Sequence, residues 1–230
     1  MYVINIYAHE EKSTRARVLK KSVVSITSGE GSRRVMIFYI TQGLAEKFNV
    51  AMVDNLPEEE KVPALHLVNT RKWDHLTAWG IKGFNFRGFD CIQILNFASK
   101  LAFFAFNVPN GSQELLGKIM WEYLAMLYGD DAEMMQALER FFNMNRYTVY
   151  APLEEKSALA SLGSNEKVFT NEAKMATYID DGVLLTKQLN YEYNKGYMVA
   201  RTVRGRTEFI VPADRFKGLV MERYGEETEK

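Results

Sequence analysis

Two stretches of helical spacing, four residues apart, sit in the middle of a chain that otherwise reads mostly as strands. That placement limits the fold more than any other feature. "KIMWEYLAML" puts Ile119, Met120, Tyr123, Leu124 and Leu127 on one stripe, and "AEMMQALERFF" puts Met134, Leu138 and Phe141 on another. Strands grouped on either side of such a pair point to an α+β class, with a mainly antiparallel sheet built from two strand-hairpin-helix units and an inserted helical pair. The 230 residues are enough for one sizeable core. They read as a single domain of two half-units: residues 1–110 a β-rich half, 111–145 the helical pair, 146–230 a second β-rich half with a final helix.

Within this frame "YVINIYAH", "RARVLKKSVVSITS" and "RRVMIFYIT" read as strands, the last two joined through "GEGS". "QGLAEKFN" reads as a short helix, "VAMVD" as a strand, "NLPEEEKVP" as a loop and "ALHLVNT" as extended. "FDCIQILNF" fits a strand or a buried helix equally. After the helical pair, "RYTVYAPL" is a strand and "EEKSALASLGSNEK" a linker. The end reads helix, strand, strand, strand, helix: "NEAKMATYI", "VLLTKQLNYEY", "GYMVARTV", "RTEFIVP", "ADRFKGLVMERY".

"YGDD" (Tyr128–Asp131) and "YIDD" (Tyr178–Asp181) spell like the metal-binding signature of template-copying polymerases. Asp130 and Asp131 fall between two helices, where aspartate caps the second N-terminus and favours its dipole. Asp180, Asp181 and Gly182 read as a helix-to-strand turn, with Gly182 supplying the positive φ. The catalytic alternative is a metal-dependent nuclease or nucleotidyltransferase using Asp180 and Asp181.

Composition is that of a folded globular protein: 47% hydrophobic, 13% aromatic and 25% charged. The longest apolar run, Phe89–Val108, is interrupted by Asp90 and Lys100, so no membrane span is expected. The N-terminus lacks the basic start and apolar core of a signal peptide. The single cysteine, Cys91, sits in an apolar run and reads as a buried, inert thiol. These features fit a reducing cytoplasm, that of the host if the chain is viral. His9, His66 and His75 lack partners at metal-site spacing, and neither a metal nor a cofactor is expected. "GIKGFNFRGFD" lacks phosphate-loop spacing, and its Phe84, Phe86, Arg87 and Phe89 read as core packing before base contact.

Net charge is zero, but the charges are segregated. Between Lys12 and Arg34, the cations Lys12, Arg15, Arg17, Lys20, Lys21, Arg33 and Arg34 meet only Glu30. Between Lys187 and Arg206, the cations Lys187, Lys195, Arg201, Arg204 and Arg206 meet only Glu192. Such clustering creates positive faces on a neutral molecule. The two segments also echo one another. Each reads as basic strand, turn, strand and helix, and placing Phe38 on Phe209 aligns Thr41 with Pro212 at the helix starts.

This arrangement resembles the Pur and Whirly families of single-stranded nucleic-acid-binding proteins, over Arg15–Phe48 and Tyr191–Tyr224. "RGRTEFIVPADRFKGL" carries the likeness best. More distantly the chain is similar to phage-encoded RNA-binding proteins of the chimallin C type in jumbo phages. The resemblance implies non-catalytic binding of single-stranded RNA or DNA, with RNA ahead of DNA. Phosphates would meet Arg15, Arg17, Lys20, Lys21, Arg33 and Arg34 on one hairpin, and Arg201, Arg204 and Arg206 on the other. Tyr191 and Tyr193, on one face of a strand beside Lys195, would form a stacking platform unless they are core. The non-enzymatic alternative is a protein-interaction or assembly factor. Its apolar helix Gln113–Tyr128 would then pack on a partner or on a second copy in a homo-oligomer.

Overall fold

The computed structural model describes residues 35–70, 75–111, 113–145, 147–154, 156–203 and 205–225. Its centre is a five-stranded sheet of β1 (Val35–Ile40), β2 (Ala78–Phe86), β3 (Phe89–Asn96), β4 (Ala102–Ala105) and β5 (Tyr147–Pro152), ordered β4-β3-β2-β1-β5. All six residues of β1, "VMIFYI", are buried. A strand apolar on both faces belongs in the middle of a sheet covered on both sides, which is where parallel strands occur.

That is its position. β1 runs parallel to β2, with Ile37 opposite Ala78, and parallel to β5, with Val35 opposite Tyr147. Only β2, β3 and β4 form an antiparallel meander. The sheet is therefore mixed, not mainly antiparallel as its sequence predicts. Parallel neighbours require crossover connections, usually helical. Helices α1 (Gln42–Lys47) and α2 (Glu58–Thr70) connect β1 to β2, and α3 (Gln113–Tyr128) and α4 (Ala132–Met144) connect β4 to β5. The helical pair is thus no insertion. It is the crossover that carries the chain from one edge of the sheet to the other.

Helices cover both faces. Met36, Phe38, Ile40, Trp79, Ile81 and Phe103 pack with Leu44 of α1, Leu124 of α3, Met134 of α4 and Phe216 of α8 (Pro212–Tyr224). On the other face Val35, Ile37, Leu95 and Phe104 meet Leu67 of α2, Leu162 of α5 (Lys156–Phe169), Met175 of α6 (Glu172–Ala176) and Leu189 of α7 (Thr186–Tyr191). The apolar face of α3, which the assembly-factor alternative assigns to a partner or a second copy, is spent on this core: Leu116, Met120, Leu124 and Leu127 are all buried.

Four segments depart from their sequence reading. "VAMVD" is no strand: Met52 alone bridges to Tyr150, and Val53–Asn55 is a 3-10 turn. "NLPEEEKVP" and "ALHLVNT" join into α2, whose Glu58, Glu59 and Glu60 stand at the positive end of the helix dipole. Pro63 inside it forfeits one backbone hydrogen bond, and burial of Ala64 and Leu67 offsets the loss. The supposed linker is α5, held by Ala158, Leu162 and Phe169 in the core and by Gln93 Nε2 donating to Leu162 O at 2.7 Å. "VLLTKQLNYEY" is only briefly extended, as β7 (Val183–Leu184) paired with β6 (Ile179–Asp180); it then turns into α7 and a π-helical turn, Glu192–Gly196.

A sheet-edge requirement explains that last departure. β4 is an edge strand, and unpaired backbone groups there need partners. Asn190 supplies them: its Oδ1 accepts from Phe104 N at 2.7 Å and its Nδ2 donates to Phe104 O at 2.9 Å. Asn194 does the same for Ala102, at 2.9 and 2.7 Å. Two side-chain amides four residues apart, one helical turn, thereby replace a sixth strand.

At the C-terminus β8 (Val199–Val203) and β9 (Arg206–Ile210) form an antiparallel hairpin that runs into α8, as read for the second unit. The hairpin is a separate two-stranded sheet, while β1 lies in the five-stranded one. At the aligned position the two segments differ in burial, for Phe38 is 2% exposed and Phe209 is 69% exposed; the part of the first segment before Val35 lies outside the described residues.

Candidate nucleic-acid interface

The firmest part of the C-terminal unit is α8. Pro212 occupies the first helical turn, where its missing N–H costs nothing. Ala213, Phe216 and Val220 form the buried stripe, and the Phe216 ring meets Trp79 edge-on at 5.7 Å. Tyr128 OH donates to Ala213 O at 2.8 Å, Lys217 Nζ pairs with Asp131 Oδ2 at 2.5 Å, and Arg140 Nε donates to Tyr224 O at 2.7 Å. The helix is thus pinned along its length.

A second stripe of α8 carries Arg215, Leu219 and Arg223, each one turn from the next. With Arg201 of β8, Leu76 and Ala98 they line a shallow cavity of about 160 Å³. Arg201 Nη1 pairs across the hairpin with Glu208 Oε1 at 3.1 Å. Among the described residues, neither Arg215 nor Arg223 has a carboxylate partner. Arg223 Nη1 lies 3.4 Å from His75 Nε2.

Alternation along the hairpin sorts its side chains. Val199, Arg201, Arg206 and Glu208 share one face, and Val199 packs on the body of the protein. Ala200, Thr207 and Phe209 occupy the other, which is exposed. Nearby, Tyr191, Tyr197 and Met198 are 46%, 43% and 69% exposed. Lys174 Nζ sits 4.5 Å over the Tyr197 ring, and Lys195 Nζ 5.4 Å over the Tyr191 ring.

The structure brings Arg201, Arg206, Lys195 and Tyr191 into this C-terminal unit. Arg15, Arg17, Lys20, Lys21, Arg33, Arg34 and Arg204 lie outside the described residues. Tyr193 is a correction. In a helical turn, residues two apart point about 200° apart, so Tyr191 and Tyr193 do not share a face. Tyr193 is 6% exposed, edge-on to Phe104 at 5.4 Å and to Phe169 at 5.0 Å, with its OH donating to Asn165 Oδ1 at 2.7 Å. Burial pushes its phenol well above the ordinary value. It is a core residue. Sequence reasoning missed Arg215, Arg223 and Phe209, although the spacing Arg-x3-Leu-x3-Arg in "DRFKGLVMER" is legible as a stripe about 100° round the helix from the apolar one.

The acidic pairs have local roles. Asp131 caps α4, its Oδ1 accepting from Met134 N at 3.0 Å. The hydrogen bond from Lys217, then that from Met134, hold its carboxyl below the usual range. Asp181 and Gly182 have φ of 45° and 76° and form the two-residue turn of the β6–β7 hairpin. Positive φ at Gly182 is as the sequence predicts, but the turn joins two short strands instead of a helix and a strand. Among the described residues no three His, Cys, Asp or Glu side chains converge as metal ligands. In "GFNFRGFD", Phe84 and Phe86 are core, and Arg87 pairs with Glu172 of α6. Cys91 is buried, and burial pushes its thiol up to about 11.

No helix among the described residues is long and apolar enough to cross a membrane. No family model, curated protein or solved structure matches the chain.

Proposed function

We propose that this chain binds single-stranded nucleic acid without catalysis, RNA ahead of DNA, and that the C-terminal unit is its binding surface. One observation carries the reading. Exposed aromatic rings (Tyr191, Tyr197, Phe209) and the exposed cations Lys195, Arg206, Arg215 and Arg223 all fall between residues 191 and 223 of the chain. Single strands are held by that pairing, with cations on phosphates and bases stacked on rings, at about 1–3 kcal/mol per stacked base. Stacking needs unpaired bases, so duplexes should bind more weakly.

Anisotropy of labelled single- and double-stranded RNA and DNA across a salt series tests this. Each lost phosphate contact, as in Arg206→Gln, reduces the log–log salt slope by about 0.7. Phe209→Ala weakens binding with the slope unchanged. Folded protein that binds no strand at low salt overturns the reading. A protein-interaction role then comes first, because Met198 and Phe209, each 69% exposed, are also anchors a protein partner would cover. The nuclease alternative finds no support in Asp180 and Asp181, which belong to a tight turn and the strand entering it.

A further inference from the structure

The cavity between the hairpin and α8 has a charge balance that matches one kind of anion. Arg201, Arg215 and Arg223 bring three guanidinium groups to it, and Glu208 pairs with Arg201 alone. Among the described residues two positive charges are left. Asp214 lies about 100° round the helix from Arg215, and Glu222, two turns on from Arg215, pairs with neither Arg215 nor Arg223. Arg215 and Arg223 start about 12 Å apart along the axis, a span two arginine side chains can close over Leu219. Leu76, Ala98 and Leu219 give the cavity apolar walls, which strengthen any ion pair formed there. Its volume of about 160 Å³ is below the 300–1,000 Å³ typical of cavities that enclose a whole small molecule, so it suits a single group.

His75 ties Arg223 to the segment that carries Leu76: Thr77 N–H donates to His75 Nδ1 at 3.2 Å, and His75 Nε2 lies 3.4 Å from Arg223 Nη1.

We propose that this cavity binds a phosphomonoester, and that its macromolecular ligand is the terminal phosphate of a nucleic-acid strand. The strand form rests on the binding reading above; the phosphate site does not. A monoester carries about −1.5 to −2 at neutral pH, which matches the two uncompensated cations. An internal diester carries one charge and would leave one guanidinium unmatched. Arginine suits the task because its planar fork grips phosphate oxygens in pairs.

The test uses the full chain and the variant Arg215→Gln/Arg223→Gln, whose two positions are exposed and tolerant of substitution. Thermal unfolding is followed with inorganic phosphate against chloride at equal ionic strength. Affinity is measured for one short single strand carrying a 5′-phosphate, a 3′-phosphate or hydroxyls at both ends. Phosphate should raise the melting temperature of the parent and not of the variant. One phosphorylated strand should bind at least about tenfold tighter than the hydroxyl strand, and the variant should lose that preference. Arg206→Gln should weaken all three strands alike. If phosphate shifts parent and variant equally, the pocket is wrong. If the ends bind equally while strands still bind, the terminal-phosphate ligand is wrong and the strand-binding reading survives. If no strand binds but the phosphate shift disappears in the variant, the site serves a free phosphate compound and the strand-binding reading falls.

Discussion

Asp131 shows how much one side chain can hold. It caps α4 through Met134 N and reaches Lys217 of α8, so it ties the crossover helix to the C-terminal helix. Asp131→Ala should destabilise the protein by about 1 kcal/mol, the usual worth of a cap, whereas Asp131→Asn keeps the cap and loses only the ion pair. The carboxyl is lowered in the fold, so its contribution is present above its ordinary value of 3.8 and fades as pH falls through the native value. Urea unfolding at neutral pH and in acid should therefore show the Ala penalty shrinking in acid. Cys91 runs the other way. Its native thiol is raised from 9.0 to about 11, so the unfolded chain ionises first and stability falls as pH rises between those values. Iodoacetamide at pH 8 should label Cys91 only as fast as the protein opens. Labelling at the rate of a free thiol would contradict its burial.

The edge of the sheet is decided by an element that sequence pattern misassigns. Alternating Tyr191 and Tyr193 look like a strand, yet Asn190 and Asn194 need helical spacing to reach Phe104 and Ala102 together. The gain is two pairs of satisfied buried backbone groups and a closed sheet edge. Asn194→Ala should cost about 1–3 kcal/mol, because it strands a buried N–H and a buried C=O of Ala102. Chemical denaturation gives the total, and hydrogen exchange at the Ala102 amide should report the loss locally. A neutral result with unchanged exchange would mean the edge is satisfied another way.

On the scale of the whole molecule, zero net charge conceals basic segments at opposite ends of the chain. The first segment lies outside the described residues; β1, which follows Arg34 in sequence, is in the five-stranded sheet, and β8 and β9 form a separate two-stranded one. A strand crossing both segments would link Arg33 and Arg34 with Arg204 and Arg206. Arg33→Gln/Arg34→Gln and Arg204→Gln/Arg206→Gln should then weaken single-strand binding to similar degrees, with equal reductions in salt slope and little dependence on base sequence. Loss confined to the second pair would restrict the surface to the C-terminal unit.

What the sequence determined by itself is local: the helical pair, the cap at Asp131, the positive φ at Gly182, the C-terminal hairpin and helix, and the burial of Cys91. Each follows from periodicity, turn chemistry or composition within a few residues. The tertiary structure decided the rest. Whether "VMIFYI" pairs parallel or antiparallel depends on partners more than forty residues away, and an apolar run reads the same in either case. α2 and α5 were hidden because Pro63 and a serine- and lysine-rich surface outweigh, locally, the few buried residues that fix them to the sheet. Arg215 and Arg223 were in plain sight as a spacing, but only packing of the adjacent apolar stripe turned them toward Arg201. A site of this kind is made by long-range approach, and propensity within a short window carries no record of it.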